Sequence, residues 1–126
     1  GALRTSAGLE AELRERGVEC HRLHTSHAFH SAMMEPALGP FGERCQHVRL
    51  QPPTMPYVSN LTGSWMTAED ATNPSYWVRH LRHTVRFADG LATILQDPNH
   101  ILLEVGPGRT LTGLVRQQPA LRLRLS

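Results

Sequence analysis

Four histidines, His21, His24, His27 and His30, recur at every third position. Imidazole is the side chain best suited to taking up or releasing a proton near neutral pH. The four lie in and just before the stretch from Leu23 to Pro36, which starts at the end of a short apolar–polar alternation and stops where a helical pattern begins. A junction of that kind presents side chains at an edge that the scaffold holds still. Spacing alone leaves three uses open. The histidines can be polar loop residues with ordinary hydrogen bonds. They can be metal ligands, although Thr25, Ser26 and the alternation before them argue against the helix that would make such a spacing converge. Cys20 and Cys45 form no C-x-x-C pair, and no H-E-x-x-H occurs. The third use is a general base at the mouth of a pocket.

The elements that must position this stretch can be read from periodicity and punctuation. From Ala7 to Arg16, Leu9 and Leu13 share a face and Glu10–Arg14 and Glu12–Arg16 make two i,i+4 pairs. With Ser6 as N-cap and Gly17 as stop, this predicts a short amphipathic helix. Val18 to Leu23 reads as a strand. After the histidines, Ser31 can cap a helix carrying Met33, Met34, Ala37 and Leu38 toward a core, the methionines as filling. Gly39-Pro40 should kink or interrupt that helix before Phe41–Gln46. His47–Leu50 and Tyr57–Ser59 read as short strands, joined by an extended run enforced by Pro52, Pro53 and Pro56. Asn60 to Gly63 reads as a turn.

Pro74 suits a first helical position and opens Ser75–Arg82, with Trp77, Val78 and Leu81 on one side. Phe87, Leu91, Ile94 and Leu95 give the cleanest amphipathic helix, ended by Pro98-Asn99. Ile101–Val105 is a mostly apolar run that reads as a buried strand of a parallel sheet. Gly106-Pro107-Gly108 turns the chain into a helix that Thr110 can cap. A glycine turn before a helix is a generic anion site, but the G-K-[ST] of a P-loop is missing. Leu121–Leu125 alternates as an edge strand would.

Composition narrows the classes. The chain has 126 residues, 40% hydrophobic and 19% charged, which is ordinary for a globular domain. No apolar run approaches the ~20 residues that span a bilayer, so no membrane role is expected. All thirteen basic residues are arginine, but a net charge of +2 and 6% aromatics argue against nucleic acid. Arginine is locally dense only at Arg79-Arg82-Arg86 and Arg122-Arg124. Two separated cysteines are too few for a disulfide framework and suit a reducing cytoplasm. Asn60-Leu61-Thr62 spells a glycosylation sequon without a secretory signal to give it meaning. Gly1 in place of a starting Met reads as an excerpt from something longer.

Five blocks in order carry a resemblance that spacing alone cannot. They are Thr25-Ser26-His27-Ala28-Phe29-His30-Ser31 with Met33-Met34-Glu35-Pro36; Pro56 to Gly63; Tyr76 to Arg82; Val85 to Gly90; and Leu103 to Leu111. Together they resemble the acyltransferase domain of modular type I polyketide synthases, relatives of the malonyl-CoA:acyl carrier protein transacylases. The resemblance covers nearly the whole chain and favours the general base among the three uses.

The resemblance implies an α/β fold: the C-terminal part of an α/β-hydrolase-like large subdomain with a parallel sheet. Residues 1–24 would close a small ferredoxin-like subdomain, and residues 25–126 would belong to the large one. It implies catalysis through a serine ester, with malonyl-CoA as donor and the phosphopantetheine thiol of an acyl carrier protein as acceptor. His30 falls on the base, and the residue whose backbone carbonyl orients that base falls on His80, where most relatives carry Asn or Gln. His27, Ala28 and Phe29 fall on the substrate pocket. Methylmalonyl-selecting relatives usually read Y-A-S-H where this chain reads His27-Ala28-Phe29-His30, so Phe29 implies malonyl selection. No metal and no chain-bound cofactor are implied; the partners are the carrier protein, the rest of the acyltransferase and neighbouring synthase domains. No G-x-S-x-G occurs in the 126 residues, and the carboxylate-binding arginine of relatives also lies upstream. The expectation is therefore a C-terminal portion, inactive alone. A noncatalytic carrier-docking or scaffold fragment and a histidine-rich metal-binding protein are the alternatives.

Overall fold

Residues 6–20 and 26–118 are described by the computed structural model, and six helices form among them. Helix α1 runs Ser6–Glu15. The Arg14–Glu10 and Arg16–Glu12 pairs close at 2.7 Å each. Gly17, at φ +72, ends the helix as expected of a residue free to enter the left-handed region. A single 3-10 turn, Ala32–Met34, leads into α2, Glu35–Gln46. The Ser31 hydroxyl accepts from the Met33 amide and caps that turn.

Gly39-Pro40 does not interrupt α2, which is continuous through both residues. Pro36 sits in the first turn, where an amide would lack a partner anyway, and Pro40 forfeits only the bond to the Pro36 carbonyl. Met33 is not core filling; it is 57% exposed, and its sulfur accepts from the Ala28 amide at 3.4 Å.

Helix α3, Ala68–Thr72, follows Thr67, whose hydroxyl accepts from the Asp70 amide. Helix α4 spans Pro74–Arg82, with Pro74 in its first turn and the Asn73 side chain accepting from the Ser75 amide. Helix α5 is Phe87–Ile94, with Leu91 and Leu95 buried. Helix α6 is Thr110–Arg116.

Four expected strands differ. His47–Leu50 is turn, with Val48 donating to the Cys45 carbonyl and Leu50 to the Val48 carbonyl. Tyr57–Ser59 shrinks to one antiparallel bridge, Val58 to Trp65, around the expected turn. Ile101–Val105 pairs with nothing among the described residues and is open to solvent, Ile101 at 93% and Leu103 at 83%. Val18–Cys20 forms no strand. Residues 21–23 of that expected strand lie outside the described residues. So do His21, His24, the 24/25 domain boundary and Leu121–Leu125. The physical reason is common to these strands: each needs a neighbour to take its backbone N–H and C=O groups, and the described residues supply only the one bridge.

The packed frame is α2 against α4. Gly42 lies so close to α4 that a Cβ there would stand 3.2 Å from the Val78 side chain. Cys45 of α2 and Tyr76 of α4 are buried. The Asn60–Gly63 turn joins this frame to α5. Ser59, buried, bonds the Tyr76 hydroxyl at 2.6 Å and accepts from the Leu61 and Thr62 amides. Thr93 of α5 donates to the Gly63 carbonyl at 2.6 Å. Gly63 holds φ +73, and a Cβ on it would meet Asp89 Cβ at 2.5 Å. Only glycine satisfies both demands.

Candidate functional site

The frame brings the end of the histidine stretch to the C-terminal end of α4. His30 Nδ1 lies 2.9 Å from the His80 carbonyl oxygen across fifty residues of sequence. A carbonyl can only accept, so Nδ1 carries a hydrogen, and in the neutral ring the lone pair then lies on Nε2. The tautomer of His30 is fixed by a main-chain atom. That carbonyl is available because it lies in the last turn of α4, where carbonyls have no amide one turn further on.

The loop before α2 is folded tightly around the histidine. The Ser31 hydroxyl donates to the Ala28 carbonyl at 2.6 Å, and the Phe29 amide donates to the His27 carbonyl at 3.0 Å. His30 itself adopts φ +59, a conformation few residues other than glycine take up and one in which histidine is several-fold enriched. Backbone in this sparsely populated region persists where the surroundings hold it. Here the serine bridge and the carbonyl bond do so.

His80 contributes a ring as well as a carbonyl. It meets His30 edge-on at 5.5 Å between centroids, stacks on Tyr76 at 6.3 Å and lies 6.0 Å from Trp77. Burial, and then the neighbouring His30, push the His80 imidazole below its ordinary value. It is therefore neutral at neutral pH, and its ring brings no fixed charge to His30.

His27, Ala28 and Phe29 immediately precede His30 in the loop. All three are exposed. The His27 ring bonds Ser26 Oγ at 3.0 Å and lies 6.2 Å from the Phe29 ring, which is 54% exposed. Among the described residues no three His, Cys, Asp or Glu side chains converge on one point. No described helix is long and apolar enough to cross a membrane.

The arginine-rich segment is neutralised in place. Arg82 bonds Glu35, Arg86 bonds Asp89 at 2.8 Å, and Arg79 stands 3.9 Å from Asp70. An open cleft of about 450 Å³ lies beside Arg79, His83 and Arg86 and does not include His30. The expected anion site before α6 is filled from within. The Glu104 carboxylate accepts from the Leu111 and Thr112 amides at 3.1 and 2.9 Å and from the Thr112 hydroxyl. Those bonds, the Thr112 hydroxyl first, hold its carboxyl below the usual glutamate range. Arg109, not Thr110, occupies the cap position, and its side chain makes no capping bond.

Two connections are invisible in the sequence. Glu35–Arg82 spans forty-seven residues and Ser59–Tyr76 seventeen. No local spacing rule reaches that far.

Three comparisons bear on this geometry. The family model described as acyl transferase domain matches residues 6–120. One component of the phenolphthiocerol/phthiocerol polyketide synthase of Mycobacterium tuberculosis is 43% identical over 111 residues, covering 88% of this chain and 8% of that protein. The solved acyl transferase domain of SpnD, in complex with 2-(pent-4-yn-1-yl)malonyl, superposes with a TM-score of 0.78 at 46% identity. It covers 86% of this chain, which spans 26% of that one. A type II polyketide synthase acyl-carrier protein in complex with its malonyl-transacylase gives 0.73 at 27% identity, over 89% of this chain and 37% of that one. The described helices are thus a part of an α/β acyltransferase fold, and the chain spans between 24% and 43% of the solved chains it matches.

Proposed function

The chain belongs to the acyl transferase domain family, and from that premise we propose that it is the C-terminal portion of a polyketide synthase acyltransferase in which His30 is the general base. In this reading residues 1–24 end the small subdomain and residues 25–126 belong to the large one. The observation that carries the proposal is the 2.9 Å bond from His30 Nδ1 to the His80 carbonyl. In the neutral ring that bond puts the hydrogen on Nδ1 and the lone pair on Nε2.

The chemistry follows from that lone pair. A serine hydroxyl, supplied by the portion of the domain outside these residues, gives its proton to His30 Nε2 as its oxygen attacks the thioester carbonyl of malonyl-CoA. The tetrahedral intermediate collapses, the carbon–sulfur bond breaks, and the CoA thiolate takes the proton back from the imidazolium. In the second half the phosphopantetheine thiol of the carrier protein gives its proton to Nε2 and attacks the acyl-serine ester. The serine oxygen leaves and recovers that proton. Both half-reactions use one base in one tautomer, which is what a main-chain tether provides. Neither CoA nor phosphopantetheine is a resident cofactor in this scheme; both enter as substrates. Support for a malonyl-type donor and for the partner comes from the 2-(pent-4-yn-1-yl)malonyl complex of one solved neighbour and the carrier-protein complex of another. Free Cys20 and Cys45 agree with a cytoplasmic setting.

Phe29, immediately before the base, supplies the choice of acyl group. In this reading, which rests on Phe29 standing where methylmalonyl-selecting relatives carry Ser, its ring takes the room of an α-methyl, so malonyl is preferred over methylmalonyl.

The test is to join this chain to the coding sequence upstream of Gly1 and to measure acylation by labelled malonyl-CoA. An in-frame G-H-S-x-G whose serine is labelled, with the label transferred to carrier protein, is the expected result. Acylation of the 126-residue chain by itself, or no acyl transfer by the complete domain, would overturn the proposal.

A further inference from the structure

We propose that the Glu35–Arg82 ion pair is a positioning device for His30, locking the start of α2 to the end of α4 so that the His30 ring stays on the His80 carbonyl. The inference rests on the reading of His30 as the base. Two polar ties connect the same two segments side by side. One is His30 Nδ1 to the His80 carbonyl at 2.9 Å. The other is Arg82 Nε and Nη2 to Glu35 Oε1 at 3.1 and 2.9 Å. Glu35 follows His30 by five residues and Arg82 follows His80 by two. Among the described residues no other ion pair joins α2 to α4.

The placement of the charges fits the helices that carry them. Glu35 is the first residue of α2 and Arg82 the last of α4. Peptide dipoles favour an acid at the first position and a base at the second, and the antiparallel packing of the helices brings those two ends together. The loop that bears His30 is tied mainly to itself, through Ser31, Ala28, His27 and Phe29. Apart from its own ring it has no other polar tie to α4 among the described residues. Where the ring meets the carbonyl therefore depends on where α2 begins. The pair is too exposed, 31% for Arg82 and 58% for Glu35, to matter much for global stability. Its consequence lies in alignment.

The test uses Glu35→Gln, Arg82→Gln and the exchanged double variant Glu35→Arg/Arg82→Glu in the complete domain. The ¹⁵N signals of the His30 ring report its tautomer, and acylation kinetics separate kcat from KM. Each neutralised variant should show mixed tautomers and a kcat reduced by roughly tenfold, against the ~10²-fold that an ångström of misplacement costs. KM and melting temperature should hardly change, and the exchanged variant should recover both the single tautomer and most of kcat. Unchanged ring signals in the neutralised variants, lost kcat with the tautomer intact, or no recovery on exchange would overturn the inference. His30→Ala separates it from the reading beneath it. If that variant acylates at full rate while Glu35→Gln still mixes the tautomers, the base assignment fails and the positioning stands.

Discussion

Replacing His30, His80 and His27 one at a time should give three different losses, because the proposed reaction gives the three rings different jobs. His30→Ala removes the lone pair at Nε2. A positioned general base contributes about 10²–10⁴-fold, which at 1.36 kcal/mol per decade is roughly 3–5 kcal/mol of barrier. His80→Asn leaves the carbonyl that holds Nδ1 and removes only the ring, which meets His30 at 5.5 Å. An aromatic pair contributes about 0.5–1.5 kcal/mol, so the loss should stay within about tenfold. His27→Ala removes an exposed ring whose polar contact is with Ser26, and acyl-enzyme formation should change least of all. The assay is single-turnover acylation of the complete domain by labelled malonyl-CoA, with carrier protein omitted so that the first half-reaction is read alone. Equal losses from His30→Ala and His27→Ala would show that the base has been misplaced. A loss of 10²-fold or more from His80→Asn would show that the ring, and not the carbonyl, performs the orienting.

Changing Phe29 to Ser should relax malonyl preference by about 10–200-fold, the value of one methyl's crowding, without reversing it; competition between malonyl-CoA and methylmalonyl-CoA measures this, and an unaltered domain that prefers methylmalonyl would refute it. Tyr76→Phe removes the buried 2.6 Å bond to Ser59 and should cost about 0.5–1.5 kcal/mol in urea denaturation of the complete domain, because Ser59 Oγ keeps the Leu61 and Thr62 amides and one bond is lost. Glu104→Gln should lower the melting temperature at neutral pH. The native carboxyl is held below its ordinary value, so the stabilisation is complete above the usual glutamate value of 4.5 and disappears as pH falls through the depressed native value. Melting curves of the two proteins should accordingly converge in acid. In the isolated chain, lysine at Ile101 and Leu103, which are 93% and 83% exposed, should reduce self-association measured by light scattering.

Local features of the site are legible because they obey short-range rules. Ser31 caps the turn after the histidines, Pro74 opens α4, and Gly17 and Gly63 take positive φ at the stop and the turn that their neighbours announce. The approach of His30 to His80 is implied by resemblance and not by spacing. Fifty residues separate them, and the contact depends on how α2 lies against α4, which includes the bare Gly42–Val78 approach. The φ of +59 at His30 is equally hidden, since no glycine or asparagine marks it. Proline misleads in the opposite sense. Pro40 reads as a break, yet its place near the helix start costs α2 a single bond.

Ile101–Val105 shows where the limit lies. Its apolar content reads as a strand buried on both faces, and among the described residues it has no strand partner and, Glu104 aside, is exposed. Apolar run length reports how much surface a segment must bury, while a ladder also requires a neighbour at ~4.8 Å with free backbone groups. The chain spans only 26% of the solved SpnD domain, so its own sequence encodes the demand for a sheet without supplying the sheet. The site divides in the same way. The proposed base and its tether are built from α2, α4 and the loop between 26 and 31, because those contacts close within the chain. The proposed reaction also needs a serine nucleophile, and no G-x-S-x-G occurs in the 126 residues. A helix pair can finish its packing alone; a parallel strand cannot, and neither can a base whose nucleophile arrives on another segment.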